Sequence, residues 1–381
     1  MGNLASSYRD LGKHTEAETL QIQVLDARKR ILGVEHPGTI LAMAHLASSY
    51  RGMGKHAEAK TLKIQVLDAS KRLLGVEHPD TVLAMANLAS SYSDLGKYTE
   101  AETLEIEVLD ARKRILGVEH PDTIFAMANL ASSYSQLGKY TEAETLKIEV
   151  LDARKRILGA EHPATIRAMA NLASSYSQLG KYTEAETLQI EVLDASKRIL
   201  GVEHPDTILA MANLASSYSD LGKYTEAETL EIQVLDARKR ILGAEHPATI
   251  RAMGNLASSY SQLGKHTEAE TLEIEVLDAR RRLLGVEHPD TILAMANLAS
   301  SYSDLGKYRE AETLEIQVLD ARKRILGVEH LATIRAMANL ASSYSQLGNT
   351  QRQRHCRLKF WMQEREFLEW NTQAQSLPWH I

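Results

Sequence analysis

One cysteine, Cys356, stands in a chain of 381 residues. No internal disulfide can form, and a reducing compartment suits such a chain. No apolar run reaches the roughly 18 residues that a membrane-spanning helix needs. Positive charge is not in excess: the formal net charge is −6 and the isoelectric point is near 6.2. A general nucleic-acid binder uses a basic stripe to displace counterions, and this balance argues against one. The sequence after Met1 is polar and helix-like, so no secretory signal is expected and the chain reads as soluble and cytosolic. No phosphate loop of the G-x-x-x-x-G-K-[ST] kind occurs, so no nucleotide or other cofactor is expected. Serine is plentiful, but no histidine and aspartate are set asymmetrically against any one serine, as a catalytic triad requires. The chain is not expected to be an enzyme.

What the sequence has instead is repetition. A 42-residue unit recurs almost letter for letter, opening on His-Pro at Pro37, Pro79, Pro121, Pro163, Pro205, Pro247 and Pro289, and again at Leu331, where the proline is lost. Periodicity on this scale indicates a solenoid of one supersecondary unit per repeat. Residues 1–36 read as a partial first unit, full units start at each proline, and 331–348 is half a unit. Residues 349–381 depart from the pattern.

The unit 79–120 shows the logic. Pro79 suits the first turn of a helix, where a missing N–H costs nothing. Val82, Met85, Leu88, Ala89, Tyr92 and Leu95 recur at helical spacing and predict one buried face. Gly96 can take the left-handed conformation that stops the helix. A second helix is expected from Thr99, with Glu102 completing a capping box. Its predicted inner face is Ala101, Leu104, Val108, Ala111 and Ile115. Acidic residues gather near its start and basic ones near its end, which complements the helix dipole. Gly117 ends it. Ala89 and Ala101 let the helices approach, and Tyr92 and Tyr98 fill the gap between units. One histidine per unit is too sparse for a four-ligand metal site and reads as helix-entry chemistry.

The string N-L-A-x-x-Y-x-x-x-G-K-Y-x-E-A-E, Asn87 to Glu102, resembles the tetratricopeptide repeat. The ordinary form is roughly 34 residues long. The longer unit is similar to the repeats of kinesin light chains, and more so to the C-terminal arrays of fungal NOD-like receptors, which follow a nucleotide-binding domain. The resemblance covers 1–348. It implies an all-α, right-handed superhelical solenoid of antiparallel helix hairpins whose first helices line a concave groove for an extended peptide or a partner helix.

Carried onto this chain, the resemblance puts three side chains per unit in that groove. The first is an asparagine column: Asn3, Asn87, Asn129, Asn171, Asn213, Asn255, Asn297 and Asn339, with His45 as the exception. An asparagine both donates and accepts, so a ladder of them can pair with a partner's peptide groups without reading its sequence. The same asparagines could instead satisfy neighbouring backbone. The second is the serine one turn on, as at Ser90, Ser132 and Ser174. The third alternates between acid and amide: Asp94, Gln136, Gln178, Asp220, Gln262, Asp304 and Gln346. The second-turn position also maps to the groove and varies as Leu41, Leu83, Phe125, Arg167, Leu209, Arg251, Leu293 and Arg335. Its alternation fits either a graded groove or duplication of a two-unit block. The position matching the lysine of the chaperone-type carboxylate clamp is Ala86, so that clamp is absent.

Both ends look unusual for such an array. Met1 aligns with Met85, midway along a first helix, which suggests the distal part of something longer. Deleting one adenine from the lysine codon of a further Gly-Lys-Tyr-Thr-Glu-Ala-Glu unit yields Gly-Asn-Thr-Gln-Arg-Gln-Arg-His-Cys, which is Gly348 to Cys356. The tail thus reads as a shifted-frame repeat. Cys356 and the aromatics Phe360, Trp361, Phe367 and Trp370 then carry no function of their own. The expected role is a protein–protein interaction scaffold resembling a NOD-like receptor's sensor array. The partner would be another protein or peptide, and the chain a monomer whose uncapped ends offer a route to self-association. A cargo adaptor like a kinesin light chain, though without the heptad coiled coil before the repeats, and a non-functional gene fragment are the alternatives.

Overall fold

In the computed structural model, residues 14–348 are described. Sixteen helices alternate between two lengths, and no strand occurs among the described residues. In chain order they are α1 (His14–Leu32), α2 (Pro37–Gly52), α3 (His56–Leu74), α4 (Pro79–Asp94), α5 (Tyr98–Leu116), α6 (Pro121–Gln136), α7 (Tyr140–Leu158) and α8 (Pro163–Gln178). There follow α9 (Tyr182–Leu200), α10 (Pro205–Asp220), α11 (Tyr224–Leu242), α12 (Pro247–Gln262), α13 (His266–Leu284), α14 (Pro289–Asp304), α15 (Tyr308–Leu326) and α16 (Leu331–Gln346). The chain divides into two compact units, Met1–Ala195 and Ser196–Ile381. In the first, each helix from α1 to α8 packs on the next in sequence; in the second, α10 to α16 do the same. Each unit is a tandem array of helix hairpins, all-α as expected. The tail from 349 lies outside the described residues, and so do its cysteine and aromatics.

The histidine before each proline is a cap. His120 is extended, and its Nδ1 accepts from Asp122 N at 3.1 Å, satisfying an amide that the first turn leaves orphaned. Pro121 follows at the first helical position. The pattern recurs at the first helices from His36 to His330, although Leu331 has replaced the last proline. Gly96, at φ 70, turns the chain out of α4, and Lys97 N donates to Tyr92 O at 2.9 Å.

The second helix differs from expectation at both ends. It begins at Tyr98 with Lys97 as its cap residue, and no side chain caps it. The Gly96 turn feeds the helix directly, so Ala101 N already donates to Lys97 O and Thr99 lies inside the first turn. Glu102 therefore closes no capping box; its carboxylate pairs with Lys139 Nζ at 2.6 Å, one repeat on. At the other end Ile115, predicted buried, is 40% exposed. A helix of 19 residues exceeds one of 16 by roughly 4–5 Å at the α-helical rise, and its last apolar residues, Ile115 and Leu116, stay exposed.

Elsewhere the predicted core holds. Val82, Met85, Leu88 and Ala89 are buried against Ala101, Val108 and Ala111, while Tyr92, Leu95, Tyr98 and Leu104 are half-buried. Ala89 and Ala101 are 1% and 0% exposed, as close helix crossings require. Ion pairs tie successive repeats at a fixed separation: Lys139–Glu102 and Arg156–Glu119 in the first unit, Lys265–Glu228 and Arg282–Glu245 in the second.

Candidate partner-binding face

The candidate face is built from the first helix of each hairpin, because the apolar stripe of that helix is turned inward and the opposite stripe is left over. Asn87, Asn171, Asn255, Asn297 and Asn339 are exposed on it; Asn129 and Asn213 are half-buried. Among the described residues, no asparagine side chain of this column hydrogen-bonds within the chain. Ser132 and Ser174 are exposed and Ser90 is half-buried. Gln136, Gln178, Asp220, Gln262 and Asp304 are exposed, as are Phe125, Arg167, Arg251 and Arg335. Asp94 is engaged: its carboxylate accepts from Arg51 Nε at 2.5 Å and Arg51 Nη2 at 3.1 Å, tying the end of α4 to α2.

Two cavities open on this face. One, of 510 Å³, lies in the first unit between α6 and α8, above α7. It brings together Phe125, Asn129, Ser132 and Gln136 from α6 with Arg167, Asn171, Ser174 and Gln178 from α8. The other, of 240 Å³, lies in the second unit between α12 and α14, above α13. Arg251, Asn255 and Asn297 line it, together with Ser258 and Leu293. Asn87, Asn213, Asn339, Ser90, Asp220, Gln262, Asp304 and Arg335 hold the same helical positions on their own first helices but line neither of these two cavities.

The floor beneath this face is a column that the sequence reading missed. It consists of Lys63, Glu105, Lys147, Gln189, Glu231, Glu273 and Glu315, one from each second helix from α3 onward. Lys63 Nζ donates to Ser91 Oγ at 2.7 Å and to Asn87 O at 2.9 Å. Burial, with Arg51 nearby, lowers its pKa to about 8, against a smaller opposing pull from Asp94. Lys147 Nζ donates to Ser135 Oγ at 2.9 Å and Ser175 Oγ at 2.5 Å, and burial lowers its pKa too. The glutamates sit beside serines of the following first helix: Glu105 by Ser133, Glu231 by Ser259, Glu273 by Ser301 and Glu315 by Ser343. Burial pushes all four carboxyls above the usual carboxylate range, and the Oε2 of each is buried without a partner among the described residues. The signal was present in the sequence. A position between Ala101 and Val108, inside an apolar stripe of near-identical repeats, is never apolar and alternates between amide, amine and acid.

The sequence matches the tetratricopeptide repeat family in overlapping stretches: residues 1–72, 41–114, 80–146, 122–188, 170–240, 208–282 and 255–324. The chain belongs to the tetratricopeptide repeat family. No curated protein matches it. Among solved structures, this tetratricopeptide array is similar to one from Podosopora anserina described as a putative kinesin light chain with nearly identical TPR-like repeats. Identity is 29% and the TM-score 0.50, over 54% of this chain and 98% of that one. The apo quorum sensor NprR from B. thuringiensis shares the fold at 15% identity and a TM-score of 0.62, over 95% of this chain and 97% of that one. The STAND protein PH0952 from Pyrococcus horikoshii, which has a tetratricopeptide repeat sensor, does so at 15% identity and a TM-score of 0.60, over 95% of this chain and 53% of that one. These last two establish fold alone. No described helix is long and apolar enough to cross a membrane. The described residues hold no group of three or more His, Cys, Asp or Glu placed for a metal ion.

Proposed function

We propose that the array is a non-catalytic scaffold that holds a peptide or a helix of another protein on the first-helix face. The observation that carries this reading is the asparagine column. Its amides are presented at repeat intervals, take no hydrogen bond among the described residues, and border cavities in both units. A bound peptide offers N–H and C=O groups that such amides complete. The array's role in a larger protein is that of a sensor, as in a NOD-like receptor, where it recognises a ligand or keeps the receptor shut. A second reading, a cargo adaptor, is favoured by the 29% identity to the array described as a putative kinesin light chain. Co-purification with a kinesin heavy chain would support the adaptor and displace the sensor.

The test is selection of binders from a random peptide library on the intact chain. Asn129→Ala combined with Asn171→Ala is expected to weaken the selected peptides at least tenfold, given about 1 kcal/mol or more for each lost hydrogen bond. Glu107→Ala, on an exposed position of α5, leaves them unchanged. Indifference to the asparagine pair, with binding intact, would sink the proposal.

A further inference from the structure

The geometry points to the cavity between α6 and α8 as a site for a phosphate monoester carried on a side chain of the bound peptide. This rests on the groove reading above and names the chemistry of one subsite within it.

Three cations, Lys147, Arg154 and Arg167, line that cavity, and no carboxylate does. Lys147 Nζ is held between two neutral hydroxyls, Ser135 Oγ and Ser175 Oγ. Arg154 commits one N–H to Ala164 O at 2.8 Å. Burial, and then the like charge of Arg167, lowers the pKa of Arg154. Lys139 and Lys181, which flank this repeat, each pair with a glutamate instead. The cavity therefore holds charge that the fold leaves uncompensated, in a half-buried place where an uncompensated charge is costly.

The number of charges selects the ligand. A carboxylate brings one negative charge and two oxygens. A phosphate monoester near neutral pH brings close to two charges and three strong acceptor oxygens, one for each cation. Phe125 adds an apolar wall and is 56% exposed; every other unit has leucine or arginine at that position. The second unit supplies an internal contrast. In its cavity Arg280 matches Arg154, but Arg251 stands where Phe125 does, Leu293 where Arg167 does and Glu273 where Lys147 does. It should reject the same anion.

The intact chain would be titrated by fluorescence anisotropy with three labelled peptide libraries. They share degenerate flanks and carry phosphoserine, glutamate or serine at the centre. The phosphoserine library is expected to bind at least about tenfold tighter than the other two, since charge-assisted hydrogen bonds to a phosphate are the strong ones. Lys147→Glu and Arg167→Leu should each remove at least about tenfold of that affinity. Both substitutions install residues that other repeats already carry there, at Glu105 and Leu209, so the hairpin tolerates them. Phenyl phosphate should compete, but more weakly than the library. Equal binding of the glutamate library would overturn the phosphate assignment. So would phenyl phosphate or inorganic phosphate binding as tightly as the peptides, because the site would then take a free anion. If all three libraries bind alike, or Lys147→Glu changes nothing, this site is refuted while the groove reading stands. If no library binds, both fall.

Discussion

Lys63 gives a sharp test of the buried column, because its charge is held against burial. It is 7% exposed, and its two hydrogen-bond acceptors, Ser91 Oγ and Asn87 O, are neutral. Its pKa falls from the ordinary 10.5 to about 8. Between those values the folded protein has shed the proton while the unfolded chain still holds it. The folded state then binds fewer protons, so stability rises with pH through that window. Below pH 8 the full penalty of a buried ammonium applies; above pH 10.5 it is gone. Linkage converts this into about 2 kcal/mol gained between pH 7 and pH 9.5, with about 1 kcal/mol of latitude either way. Other lysines and tyrosines titrate over the same range, so the quantity to measure is a difference. Lys63→Gln places there the amide that Gln21 and Gln189 already provide in sister repeats. Urea unfolding of the parent and the variant at both pH values isolates the effect. The variant's advantage should shrink by about 2 kcal/mol at the higher pH. A gap that stays constant would refute the claim that Lys63 is held charged in a poorly solvated floor.

Three further outcomes follow from packing and caps. Lys60 stands where most repeats carry the glutamate of the inter-repeat ladder, and Lys97 lies 3.7 Å from Glu100 of its own helix instead; Lys60→Glu should raise the Tm, with the gain lost near 1 M salt in a paired melt. His120→Ala removes the cap on Asp122 N and should cost about 1 kcal/mol by urea unfolding; an unchanged midpoint would show that the cap is ornamental. Ala89→Leu, at a crossing where the alanine is 1% exposed, should cost about 1–3 kcal/mol through overpacking, whereas the same change at the exposed Ser132 should cost little.

The fold was legible because each repeat states its punctuation in residues with one main physical use. Pro121 after His120 starts a helix, Gly96 reverses the chain, and Ala89 with Ala101 marks where helices touch. Asn87 and its equivalents fall off the apolar stripe by spacing and are exposed or half-buried, whereas the equally polar Thr81 and Ser91 are buried. Three things were not legible. The cap expected at Thr99 fails because turn geometry, set by Gly96, decides where the helix begins, and the Thr-Glu spacing cannot see that. Ile115 fits the inner stripe by spacing, yet burial depends on how far the shorter neighbour extends. The column of Lys63, Glu105 and Lys147 breaks the apolar stripe, and only the position of the following helix reveals that serines receive those side chains.

The central claim is that a partner lies along the first helices. Its most direct test is site-specific photo-crosslinking of a library-selected peptide to the intact chain. A benzophenone side chain would replace Asn129 or Asn171 in one set, and the exposed second-helix residues Glu107 or Glu149 in the other. Crosslinks from the asparagine positions and none from the glutamates are the predicted result. Crosslinks from Glu107 or Glu149 in preference to the asparagines would place the partner on the second helices and contradict the account.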